Sequence, residues 1–254
     1  MTSERFESDW HDWHHAREAR ATAPHGLAAL RHTHWLTDEP AAVEGAPGRW
    51  AAHDGAVVGT GLADASDAVR LAAGDELAVG ATVLRAFERD GALALRVLDP
   101  DAPTRTSLAG IDAFAPSPRW VVRASFEPAA DATLDVTSVD GHASTEHVAG
   151  VARFDVDGTP IELTLTRDAG GLGAVFADAT SGHEAYRFRF LAVDEPAADG
   201  TLELDFNRAY LPPCAFSDQY VCPLPSPGNR WSVAVRAGER LPVRRTVAAE
   251  SPAA

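Results

Sequence analysis

The stretch Val151-Ala-Arg-Phe-Asp-Val-Asp-Gly-Thr-Pro-Ile-Glu-Leu-Thr-Leu-Thr-Arg167 decides the fold class. Two short β runs, 151–156 and 161–167, flank Asp157-Gly158. Asp-Gly between such runs is the strongest short-range hairpin signal, because the tight turn needs two residues that tolerate positive φ. The device recurs along the chain. Asp54-Gly55 separates 49–53 from 56–61, Asp90-Gly91 separates 82–89 from 92–99, and Asp140-Gly141 separates 133–139 from 142–148. Further strands are expected at 120–127, 171–176, 184–193, 201–206 and 231–236. Roughly a dozen short strands at hairpin spacing predict an antiparallel β-barrel or two-sheet sandwich. No βαβ alternation appears, which argues against a Rossmann or TIM-barrel enzyme.

Before the strands comes a helix, expected over residues 3–21. Phe6, Trp10, Trp13 and Arg17 recur at helical spacing and form one apolar face with an arginine stem at its end. His11 and His15 are an i, i+4 pair, but they point away from that face, so a solvated face is expected rather than a metal clamp. Leu27 and Leu30 suggest one or two helical turns, and His32 and His34 share a face only if their segment is extended. Residues 100–119, with four prolines, read as a crossing between sheets or a cover over one end. The chain is thus read as a helical segment over 1–40 packed on a single β domain over 41–244, with a flexible tail over 245–254.

Composition narrows the function classes. The formal net charge is −15, which weighs against nucleic acid and anionic membrane as partners. All 22 basic residues are arginine. A Schiff-base lysine, a lysine general base and a P-loop lysine are therefore excluded within this chain. No apolar run reaches membrane-spanning length and the first residues carry no signal-like apolar region, so a cytoplasmic protein with reduced thiols is expected. No metal, nucleotide or flavin signature is present, and no cofactor is expected.

One stretch breaks the β pattern. Leu202, Leu204 and Phe206 alternate with Glu203, Asp205 and Asn207 as in a strand. Between Tyr210 and Gly228 there follow five prolines, both cysteines of the protein and two tyrosines. Proline fixes φ and removes a donor, so this is neither helix nor central strand. Its aromatics predict an ordered loop pinned onto the β scaffold, and long ordered loops are usually functional. Asp205 and Asn207 share one strand face, which with Arg208 and Tyr210 makes one wall of a candidate pocket. The alternative is a structural network in which the Asx side chains satisfy the loop backbone. Arg189, two strand positions beyond Arg187, shares its face; the pair either binds an anion or covers a solvated sheet. Cys214 and Cys222 fit neither Cys-x-x-Cys nor a zinc pattern. Packed thiols, a disulfide contributing about 2.5 kcal/mol, and a redox or nucleophilic role all remain open. Asp178-Ala-Thr-Ser-Gly-His183 contains Asp, Ser and His, but it reads as a tight turn rather than a triad.

The runs Asp205-Phe-Asn-Arg-Ala-Tyr210, Pro212-Pro-Cys-Ala-Phe216, Cys222-Pro-Leu-Pro225, Asn229-Arg230 and Ala237-Gly-Glu-Arg240 resemble the bacterial and archaeal domain-of-unknown-function family 1684. Upstream, Leu95-Arg-Val-Leu-Asp99, Leu108-Ala-Gly-Ile111 and Trp120-Val-Val-Arg-Ala124 sit where that family has similar pieces. Asp178-Ala-Thr-Ser-Gly182 with Tyr186 and Arg189 resembles its Asp-x-Thr-Ser-Gly block, although Tyr186-Arg-Phe-Arg-Phe190 replaces a glycine-rich approach. The likeness spans most of residues 10–240. It marks Asp178, Thr180, Gly182, Tyr186, Pro213, Cys214, Cys222 and Asn229 as motif residues and implies no assigned activity.

The leading expectation is therefore a β domain that binds a small molecule, anions included, beside the 205–230 loop through Arg189, Asp205, Asn207, Arg208 and Tyr210. The alternatives are a hydrolase using carboxylates such as Asp178 or Asp205, and a structural or interaction module.

Overall fold

The computed structural model describes residues 3–63, 67–168 and 170–245. The tail expected over 245–254 lies, Arg245 apart, outside the described residues. The protein is mainly β, with several antiparallel sheets including a half-barrel, and one N-terminal helix, α1, spans Ser3–Thr22. Phe6 and Trp10 are buried while His11 and His15 are exposed, as the helical spacing predicts.

The chain divides into two compact units. The first comprises Ala19–Ala109, Phe216–Tyr220 and the residues from Arg244. A single 3-10 turn, Leu27–Ala29, leads into β1 (Leu30–Trp35), so His32 and His34 do lie on one face, with ring centroids 5.2 Å apart. There follow β2 (Ala41–Val43), β3 (Ala46–His53), β4 (Ala56–Thr60), β5 (Val69–Leu71), β6 (Glu76–Val79), β7 (Thr82–Arg89) and β8 (Ala92–Leu98). They form two four-stranded sheets, β1-β8-β7-β6 and β2-β3-β4-β5. Trp50, Val57, Leu84, Leu95 and Val97 from both sheets share one core. The hairpins turn where Asp-Gly predicts: Asp54 and Gly55 have φ of 47° and 70°, and Asp90 and Gly91 have 50° and 80°.

The second unit comprises the residues through Glu18, Gly110–Ala215 and Val221–Val243. After β9 (Leu108–Ala113) it contains β10 (Val121–Pro128), β11 (Thr133–Thr137), β12 (Ala143–Val156), β13 (Thr159–Asp168), β14 (Gly171–Phe176), β15 (Arg189–Val193), β16 (Thr201–Asp205) and β17 (Glu239–Arg244). The main sheet runs β15-β14-β13-β12-β10-β16, with β11 joined to β12, and β17 pairs with β9. Its interior is aromatic. Phe154 and Phe176 lie 5.6 and 5.7 Å from Phe206, and Trp231 stacks on Phe176 at 5.4 Å.

Four local expectations are corrected. The two runs 142–148 and 151–156 are one continuous strand, β12, whose register shifts between Val148 and Gly150. Gly150 marks a close approach rather than a break, since a Cβ there would meet the Phe126 ring at 2.5 Å. The segment 100–119 contains a helical turn, Pro103–Thr106, and strand β9. Residues 184–188 lie outside any strand; Arg187 is exposed while Arg189 at the start of β15 is fully buried, and the two do not share a face. Residues 231–236 are not a strand: the Trp231 N–H and Val233 O pair with the backbone of Ala177 and Ala179, and the Val235 backbone groups are taken by side chains.

Candidate functional site

Strand β16 carries Leu202 and Leu204 into the core and presents Glu203 outward. The alternation would continue, but Asp205 caps a 3-10 turn over Phe206–Arg208 by accepting the Asn207 N–H at 3.1 Å. This is the Asx chemistry that competes with a strand ladder. The turn rotates Asn207 into the interior, where it is fully buried, so Asp205 and Asn207 do not share a face as an extended strand predicts. The Asn207 Oδ1 accepts the Ser117 N–H at 2.8 Å, and Nδ2 donates to Ser117 O at 3.0 Å and Asp205 Oδ1 at 2.9 Å. Trp10 Nε1 of α1 donates to Asn207 O at 2.8 Å. Asn207 therefore works as a structural hub. Asp205, half-buried, and Arg208, exposed, form an ion pair at 3.4 Å.

The chain then pairs Tyr210 with Phe190 through two backbone hydrogen bonds of 2.8 and 2.9 Å. Glu239, fully buried, accepts the Leu211 N–H at 2.7 Å and takes Arg17 of α1 through two bonds of 2.9 and 3.1 Å. The Arg17 guanidinium also lies 4.7 Å from the Tyr210 ring centroid. Spacing alone did not single out Glu239; its place in Ala237-Gly-Glu-Arg240 was the one signal available.

Between α1 and this edge of the sheet lies a cleft of about 680 Å³. Phe6, Trp10, Trp13 and Tyr210 supply aromatic lining. Its charged lining is Asp9, Asp194, Glu195, Glu203 and Asp205 against one arginine, Arg208. Glu195 is already paired with Arg167. Of the expected ligand residues, Asp205, Arg208 and Tyr210 come together here, whereas Asn207 and Arg189 face the interior.

Arg189 belongs to a second constellation. Its guanidinium donates to Asp178 Oδ1 at 3.1 Å, to Val235 O at 2.9 Å and to Ala237 O. Asp178 accepts from Thr180 Oγ1 at 2.8 Å, from Ser181 Oγ at 3.1 Å and from the Val235 N–H. Burial lowers the Arg189 pKa, opposed by the Asp178 carboxylate. Asp178 and Arg189 thus satisfy the backbone of residues 235–237, which is why no ladder forms there. Gly182, at φ 78°, completes the tight turn that the sequence suggests.

Asn229 also works on backbone. Its Oδ1 accepts from Thr164 N at 2.8 Å, and its Nδ2 donates to Thr164 O at 2.9 Å and Val175 O at 3.0 Å. It bridges β13 and β14, whose direct pairing begins only at Thr166 and Gly173. Pro213 opens a 3-10 turn over Pro213–Ala215. Cys214 and Cys222 are buried and reduced, and the Cys214 N–H donates to Cys222 Sγ at 3.3 Å. Tyr186 Oη lies 3.2 Å from Cys214 O and 3.7 Å from Cys214 Sγ.

The model of the family described as "Protein of unknown function (DUF1684)" matches residues 106–240. Among solved structures, the chain is similar to the solution NMR structure of the uncharacterized protein from gene locus rrnAC0354 of Haloarcula marismortui. Identity is 34%, over 52% of this chain and 76% of that one, with a TM-score of 0.42. No curated protein matches the chain.

Proposed function

The chain belongs to the DUF1684 family of proteins of unknown function, and on the chemistry of its own cleft we propose that it binds a small organic cation there. The observation that carries this is the lining: four aromatic side chains and an excess of carboxylates over a single, already paired arginine, in a space of about 680 Å³. That volume suits a small molecule. Aromatic faces and carboxylates in excess of the cations around them attract cations together, the rings through their quadrupole and the acids through charge. Glu203 and Asp205 stand two strand positions apart on one face of β16, and both line the cleft. An anion would meet the same charges as repulsion. With Arg189 drawn into the interior, the charge balance supports a cation rather than the anion considered from sequence.

Carboxylate-based hydrolysis receives less support. Both Asp178 oxygens are engaged by Thr180, Ser181, Arg189 and Val235 in a buried network.

The test is a tryptophan-fluorescence titration with benzyltrimethylammonium and with benzoate, on the wild-type protein and on the Trp13→Ala and Glu203→Gln variants. Saturable quenching by the cation alone, weakened on the order of tenfold in each variant, is the expected result. Saturation by neither probe, or equal responses to both, would count against the reading. Circular dichroism of the variants separates lost binding from lost fold.

A further inference from the structure

We propose that Cys214 and Cys222 form a peroxide-reactive dithiol, in which Cys214 attacks the oxidant and Cys222 resolves the product as a disulfide. The site is distinct from the cleft and is built by the proline-rich loop and the turn before β15. The short turn Pro213–Ala215 directs the Cys214 N–H at the Cys222 sulfur, 3.3 Å away, which holds the second sulfur beside the first residue. The neighbouring segment supplies the polar partners. Tyr186 Oη lies 3.7 Å from Cys214 Sγ, and the adjacent Arg187 favours the ionised form of the same thiol. Arg187 itself sits 5.6 Å from the Tyr186 ring centroid and is exposed.

Buried structural cysteines sit in apolar surroundings, and there burial pushes the thiol pKa up. Here the balance is reversed. The hydrogen bond from Cys222 is the largest influence; with Tyr186 and Arg187 it overrides burial and brings Cys214 down to about 7. Tyr186 moves the other way, up to about 12, chiefly through burial and also through the charge of the nearby thiolate. Near neutral pH, Cys214 is therefore substantially ionised beside a phenol that keeps its proton. A thiolate with hydrogen-bond donors and a second sulfur within reach is the arrangement of a redox-active cysteine. Each cysteine keeps 5% of its surface exposed.

The chemistry balances with hydrogen peroxide as the two-electron oxidant. The Cys214 thiolate attacks one peroxide oxygen, the O–O bond breaks, and the departing hydroxide takes up the proton released when the thiol ionised. Sulfur is oxidised to the sulfenic acid and one water is formed. The Cys222 sulfur then attacks Cys214 Sγ; the S–S bond forms, the S–O bond breaks, and the hydroxyl leaves with the Cys222 proton as a second water. Two equivalents of a thiol reductant then cleave the disulfide by exchange, restoring both cysteine thiols and leaving the reductant as its own disulfide.

The experiment treats the reduced full-length protein with hydrogen peroxide and reads the intact mass without reductant, with N-acetylcysteine as the reference thiol. Wild type should lose two hydrogens faster than the reference reacts. Cys222→Ser should gain one oxygen and be trapped by dimedone, and Cys214→Ser should do neither. Tyr186→Phe and Arg187→Met should slow the first step on the order of tenfold. Thiols that survive peroxide consuming the reference, initial attack at Cys222, or unchanged rates in the Tyr186 and Arg187 variants would each overturn the proposal. Should a cysteine variant fail to fold, a brief peroxide pulse on wild type, followed by alkylation and peptide mapping, identifies the first sulfur to react.

Discussion

Arg17 of α1 and Glu239 at the start of β17 meet through two hydrogen bonds, 2.9 and 3.1 Å long, across 222 positions of sequence. The carboxylate is fully buried and the arginine side chain keeps 13% of its surface. Glu239 also holds the Leu211 N–H, so the pair joins the helix to the loop that borders the cleft. Arginine suits this place because its planar fork delivers two parallel donors to one carboxylate.

Removing one partner should cost more than removing both. Arg17→Met leaves a buried carboxylate without its counter-charge and should destabilise the protein by about 3–5 kcal/mol in urea unfolding. Arg17→Met combined with Glu239→Met should recover part of that loss. A single-variant cost below about 1 kcal/mol would show that the pair does not anchor the helix.

Arg189→Lys should be severe although it conserves charge. Lysine carries a compact ammonium and cannot span Asp178, Val235 O and Ala237 O as the guanidinium does. The expected cost is about 3 kcal/mol or more, read as a lower denaturation midpoint. A midpoint equal to wild type would contradict the bracing role of this arginine.

Two glycines with positive φ should respond unequally to alanine. Gly238, at φ 76°, sits against backbone: a Cβ there would collide with Ala209 O and lie 2.8 Å from Phe206 O. Gly141, at φ 86°, has open space around the same atom. Gly141→Ala should cost about 1 kcal/mol from backbone strain alone, whereas Gly238→Ala should cost at least twice that, roughly 2–4 kcal/mol. Thermal melts of the two variants make the comparison.

The thiol site gives stability a pH signature. Cys214 is lowered from 9.0 to about 7 in the folded protein, so its contribution is fully present above pH 9 and is lost as pH falls through 7. Tyr186 is raised from 10.0 to about 12, so its contribution is full below pH 10 and is lost as pH rises through 12. Denaturation midpoints under reducing conditions should therefore climb from pH 7 to 9 and decline above 10. Cys214→Ser should flatten the climb, and iodoacetamide labelling of Cys214 should show a midpoint near 7. Labelling that rises only above pH 8.5 would contradict the lowered thiol.

Much of this fold is legible in local chemistry. The Asp-Gly pairs at 54–55, 90–91 and 157–158 turn the chain with positive φ at both residues, because that geometry depends on the two residues themselves. The face of α1 is legible for a similar reason: Phe6 and Trp10 repeat at the helical period, and burial follows the period. The motif around Asp178 reads as a turn because Asx, Thr and Gly act on their own neighbours.

The remainder was decided by partners distant in sequence. Residues 231–236 have a strand's composition, yet Arg189 and Asp178 take the backbone groups of Val235, and the segment is not a strand. Asn207 reads from sequence either as part of a pocket wall or as a brace for loop backbone, and it is Ser117 and Trp10, distant in sequence, that receive it inside. The sequence by itself determined an antiparallel β protein with an N-terminal amphipathic helix, its principal turns and the irregular backbone of the proline-rich loop after β16, since periodicity and turn chemistry are short-range properties. Only the tertiary structure decided which polar side chains of that loop face the cleft and which satisfy buried backbone, because a buried donor or acceptor must find its partner wherever the fold brings one.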